Sequence, residues 1–68
     1  MKKPTIYEIW KIESNSDVLK LQTFDKKDLV NWCILNFPMY KVGIRTPLYR
    51  ISQVIQPHYI IRRNGRDI

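Results

Sequence analysis

The sequence predicts a small α+β domain of order β-β-α-β-β, an antiparallel sheet with one central helix packed across it. Three observations carry this expectation. The chain has ten Ile and no Ala; Ile packs well on a pleated surface, whereas Ala is the strongest helix former. Its apolar residues fall in short runs separated by turn formers. Residues 24–37 are the clearest helix, with an apolar stripe and helix-end signals. At 68 residues the chain is a single domain, 1–68. A chain of this size buries only about 60% of the surface its unfolded form exposes. That excludes a repeat array and a deep, enclosed active site.

Residues 5–13 form the first strand. Ile6, Tyr7, Ile9, Trp10 and Ile12 are β-branched or aromatic, with Glu8 and Lys11 between them. Ser14, Asn15, Ser16 and Asp17 are turn formers. In residues 18–23, Leu19 and Leu21 point one way and Lys20 and Gln22 the other, the pattern of a return strand. The helix follows over residues 24–37. Asp25 is suited to cap it, and Asp28 lies in the first turn, where the helix dipole favours negative charge. Phe24 and Leu29 are spaced for a hydrophobic staple. Leu29, Trp32, Cys33 and Phe37 share one stripe, widened by Val30 and Ile34, and Pro38 ends the run.

Residues 39–47 form a loop or an open hairpin around Gly43. Residues 48–56 alternate at Tyr49, Ile51 and Ile55, with Gln53 the polar exception, and are read as the third strand. Pro57 and His58 break the chain before a short strand at Tyr59, Ile60 and Ile61. Asn64-Gly65 is a tight-turn dipeptide, set in a short basic tail, 62–68.

Composition narrows the function by exclusion. A lone Cys33 cannot form an internal disulfide, and one Cys with one His leaves no spacing for a zinc site. No apolar run approaches the roughly 18–20 residues of a membrane span. The basic start at Lys2 and Lys3 leads into a segment interrupted by Glu8 and Lys11, unlike a signal-peptide core. The chain is therefore expected in the cytoplasm, with no metal, cofactor or membrane partner. Catalytic chemistry has no foothold either. His58 follows Pro57 in a turn with no nucleophile beside it. Cys33 sits mid-helix on the apolar stripe, away from the cationic or helix-N-terminal setting of a reactive thiolate. Glu8, Glu13, Asp17, Asp25, Asp28 and Asp67 show no carboxylate-pair or magnesium motif. A non-enzymatic binding protein is the expectation.

Charge says where binding would occur. The 12 Lys+Arg against 6 Asp+Glu give +6. Residues 1–34 carry six Lys against five acids, a net +1; residues 35–68 carry one Lys and five Arg against Asp67, a net +5. Arg offers a planar fork of donors suited to phosphates and base edges, and a basic half-molecule is the footprint of a nucleic-acid binder. Lys41, Arg45, Arg50, Arg62, Arg63 and Arg66 are the candidate contacts. Tyr40, Tyr49 and Tyr59 are interleaved with them. Aromatics beside Arg stack on bases, anchor protein interfaces, or complete a small core. Tyr40 and Tyr49 join the candidate site.

Several of these residues also fit a known pattern. Asp17, Val18 and Leu21 are followed by Lys26, Lys27, Leu29, Asn31 and Trp32, then Pro38, Tyr40-Lys41-Val42-Gly43, Arg45 and Tyr49-Arg50-Ile51. Residues 17–51 thus resemble the excisionase-type, MerR-like winged helix-turn-helix proteins of phages and mobile elements. The resemblance implies a first helix at 17–21, a recognition helix carrying Lys26 and Lys27, and a wing carrying Arg45, with a strand at 49–51. It implies a DNA-binding regulator. The two readings part at residues 18–23, strand in one and helix in the other.

Two function classes follow. One is a nucleic-acid-binding regulator of phage or mobile-element type, with DNA favoured over RNA. The other is a small phage-type inhibitor or adaptor that binds a host protein, either through an open sheet edge or on an acidic surface. Association with a second copy would supplement so small a core.

Overall fold

The computed structural model describes residues 4–68. Four strands make one antiparallel sheet: β1 (Tyr7–Lys11), β2 (Val18–Thr23), β3 (Tyr59–Arg63) and β4 (Arg66–Asp67), in the order β2-β1-β3-β4. Between β2 and β3 the chain forms α1 (Lys26–Asn36), a 3₁₀ turn (Pro38–Tyr40) and α2 (Leu48–Ile55). The α+β class holds, and residues 18–23 are strand. The first helix that the winged helix-turn-helix resemblance implies at 17–21 is therefore not formed.

The first hairpin contains an irregularity that pattern reading misses. Ile9 pairs with Leu21, but Trp10 pairs with Leu19, so Lys20 is an extra residue in a bulge. A one-residue slip moves side chains to the other face of a sheet. Leu21 accordingly packs on the core, whereas Leu19 shares Trp10's face and is 40% exposed. The expectation that the two leucines point the same way is corrected by that bulge.

α1 begins as expected. The Asp25 carboxylate accepts from the Lys27 backbone N–H at 2.9 Å, and the Thr23 hydroxyl donates to Asp28 Oδ2 at 2.7 Å. Phe24 remains 66% exposed, so these polar contacts, not the Phe24–Leu29 staple, brace the helix entry.

Residues 48–56 are the main correction. Leu48–Ile55 form α2, not a strand, with Gln56 as its C-cap, and the described residues hold two α-helices. Leu48, Ile51, Ser52 and Ile55 recur at the spacing of one helical face; Ile51, Ser52 and Ile55 are buried and Leu48 packs on the core. A strand makes Gln53 a polar exception; in the helix Gln53 is exposed, and the buried polar residue is the small Ser52, whose Oγ accepts from Gln56 Nε2 at 3.2 Å. The wing strand implied at 49–51 is likewise helix. The sheet is completed instead by β4, out of the segment read as a tail. Asn64 and Gly65, both at positive φ, make the two-residue turn whose twist suits a hairpin. Ile68 beyond it packs on the core.

Both helices contact the sheet, α1 against β1 and β2, α2 against β3. Ile9 and Ile61, which pair across the central strands, are fully buried beneath Leu29, Cys33 and Ile51. Each such side chain contributes about 1.5–3 kcal/mol of transfer free energy. Val42 is also buried and ties the loop between the helices to this core.

Candidate nucleic-acid interface

That loop carries the first half of the site, and it is braced. Lys41 ends the 3₁₀ turn at φ 52°, a left-handed conformation that costs a side-chain-bearing residue about 1–2 kcal/mol. The Gly43 N–H donates to Thr46 Oγ1 at 2.9 Å, and the Thr46 N–H returns to Gly43 O at 3.0 Å. From α1, Lys26 Nζ donates to the carbonyls of Ile44 (3.1 Å) and Thr46 (2.9 Å). Pro47 then opens α2, its carbonyl accepting from the Arg50 and Ile51 N–H groups.

Tyr40, Lys41, Arg45 and Arg50 converge on one groove of about 400 Å³ between this loop and α2. Val54 supplies an apolar edge above the buried Val42 and Ile51, and among the described residues no acid lines it. Among the described residues the ion pairs involve Lys11 and Arg62 only, so Lys41, Arg45 and Arg50 are free for an external anion. Leu48 and Tyr49 of α2 line a second groove of about 390 Å³ with Arg63 and Lys26. Arg66 sits directly opposite Arg63 in the β3–β4 hairpin. Like charges facing each other across a strand pair repel, and an anion between them would relieve this.

Arg62 does not join the site. It pairs across the sheet with Glu8, on the face away from the helices. There its guanidinium donates to Asp67 Oδ1 at 2.9 Å, meets Asp17 Oδ2 at 3.4 Å, and lies 5.0 Å from the Trp10 ring centre. The hydrogen bond to Asp67 holds it still more firmly protonated than an ordinary arginine, though desolvation opposes this. Strand alternation thus puts Arg62 and Arg63 on opposite sides of the sheet: neighbours in a strand face opposite ways. The face it occupies also bears Trp10, Leu19 and Ile60, with Glu8 accepting from the Trp10 indole N–H and from Gln22.

The other chemical candidates lie elsewhere. Cys33 is fully buried, and burial pushes its thiol up to about 11, opposite to the shift a nucleophile needs. His58 is exposed in the turn before β3, and its carbonyl accepts from the Ile12 N–H. Among the described residues no group of three His, Cys, Asp or Glu is arranged to hold a metal, and no helix is long and apolar enough to cross a membrane. Two contributors had escaped the sequence. The bracing role of Lys26 uses main-chain carbonyls 18 and 20 residues away, for which residue identity carries no signal. The apolar edge of the groove at Val54 depends on residues 48–55 being helix.

The chain matches no family model, no curated protein and no solved structure. The site must therefore be interpreted from its own chemistry.

Proposed function

We propose that this protein is a non-enzymatic DNA-binding regulator, of the kind phages and mobile elements carry, and that it binds phosphates with the face around α2. One observation carries the reading. Lys41, Arg45 and Arg50, spread over ten residues of sequence, converge on a single groove with no acid in its lining. Arg63 and Arg66 extend the positive surface beyond α2. Protein cations displace counterions condensed on the phosphates, so affinity falls steeply with salt. Four phosphate contacts would give a log–log slope of about −3 to −4, and a fourfold rise in salt would weaken binding by about a hundredfold.

Fluorescence anisotropy with labelled DNA at low and moderate salt tests this. The variant carrying Lys41→Gln, Arg45→Gln and Arg50→Gln should bind at least about a hundredfold more weakly at low salt, with a slope shallower by about 2–3. Absence of wild-type binding even at low salt would overturn the proposal.

A second reading is favoured by the helix-free sheet face, where Trp10, Leu19 and Ile60 form an apolar surface around the Arg62 cluster. On this reading the protein is an adaptor or inhibitor docking on a host protein. A pull-down repeated after nuclease treatment separates the two: retention of one stoichiometric protein partner supports it, and loss of all partners excludes it.

A further inference from the structure

We infer that the groove beside α2 takes a single strand of nucleic acid, with a base stacked on Tyr40 and the flanking phosphates held by Lys41, Arg45 and Arg50. This rests on the nucleic-acid reading above and specifies its substrate class.

Tyr40 is the exposed end of an aromatic cluster. Its ring lies against Phe37, with centroids 5.8 Å apart and planes inclined by 34°. Phe37 in turn meets Tyr59 edge-on at 5.5 Å and Trp32 at 5.9 Å, and Trp32 meets Tyr59 at 5.4 Å. These three half-buried rings pack on the core, and Tyr40 is the outermost of the stack, 47% exposed. A ring that already rests on a neighbour has less freedom to lose when a base settles on it.

Its surroundings complete the arrangement. Tyr40 lines the groove whose cations are Lys41, Arg45 and Arg50, and a cationic track beside an exposed aromatic is how proteins hold unpaired strands. Val54, half-buried on α2, offers an apolar edge to the groove. In a duplex the bases are stacked on one another and would need to be flipped out to reach Tyr40. Across α2, Tyr49 is 61% exposed and lines the neighbouring groove with Arg63, which repeats the pairing of ring and cation. DNA and RNA strands share this chemistry.

The test is anisotropy with four labelled ligands of about 12 nucleotides: mixed-sequence single-stranded DNA, the same strand without bases, the same sequence as duplex, and its RNA counterpart. Single-stranded DNA or RNA should bind at least about tenfold more tightly than the abasic strand and the duplex; which of the two binds better identifies the source. Tyr40→Ala should bring the base-bearing strand to the level of the abasic one, and Tyr40→Phe should preserve its affinity. Tyr40→Leu, which keeps apolar contact with Phe37, reports the loss of stacking should the alanine variant unfold. Equal binding of abasic and base-bearing strands by the wild type, or tighter binding of duplex, overturns the single-strand inference and leaves the phosphate-binding reading standing. No binding to any ligand at low salt overturns both.

Discussion

Arg62 and Arg63 are neighbours in β3, and the pleat gives them opposite surroundings. Arg62 enters a closed circle of partners, Asp67, Asp17 and the Trp10 ring, on the helix-free face. Arg63, on the helix side, has no acid in salt-bridge range among the described residues and instead faces another cation, Arg66. One side of the sheet neutralises its arginine internally. The other leaves its cations uncompensated around α2. A net charge of +6 is thus not a uniform property of the surface; what matters is which cations are already satisfied.

The most severe way to break this contrast is to unseat α2, which carries Tyr49 and Arg50 and borders both grooves. Ile51 is fully buried beneath it. Ile51→Ala should cost about 2–5 kcal/mol, comparable to the whole stability of a domain this small. Urea unfolding should show a midpoint near zero or lost cooperativity, with binding abolished in parallel.

A smaller change sharpens the contrast directly. Arg63→Gln should lower DNA affinity about fivefold and make the salt slope shallower by about 1, while thermal stability stays level or rises because the opposition to Arg66 is removed. Arg62→Gln should do the reverse: affinity unchanged within about twofold, and a lower Tm because Asp17 and Asp67 lose their shared partner. Identical behaviour of the two variants in either assay would contradict the assignment.

The smallest effect concerns the shared core. The fold favours the neutral thiol of Cys33, raising its pKa from 9.0 to about 11. That contribution is fully present below the unfolded value and is lost as pH rises through the folded one. The stability difference between wild type and Cys33→Ala should therefore be constant below pH 9 and shrink between pH 9 and about 11, as followed by urea titration. The thiol should also react with an aromatic disulfide reagent only as the protein unfolds.

Much of this was legible in the residues, and the exceptions are physical. The first strand, α1 and the Asn64–Gly65 turn announce themselves because their determinants are local: alternation, a capping carboxylate, and a dipeptide tolerant of positive φ. The sequence of α2 is ambiguous because Tyr49, Ile51 and Ile55 fit a two-residue period almost as well as Leu48, Ile51 and Ile55 fit a helical one, and β-branched residues tilt such short runs towards strand. Its burial against β3 decides the matter, and no local pattern encodes that. The bulge at Lys20 and the separation of Arg62 from Arg63 depend on strand register. Six of the eight candidate contacts, Tyr40, Lys41, Arg45, Tyr49, Arg50 and Arg63, border the two grooves flanking α2. Charge clustering located this region, while the three-dimensional sorting of the cations needed the sheet.

Amide and indole chemical shifts, followed as a nucleic-acid strand is added to the isotopically labelled protein at low salt, test the division between the faces most directly. Shifts should concentrate on residues 40–50 and on Arg63 and Arg66, with the Trp10 indole N–H and the amides of Leu19, Ile60 and Arg62 unmoved. Shifts centred on Trp10, Leu19 and Ile60 while residues 40–50 stay silent would contradict the account.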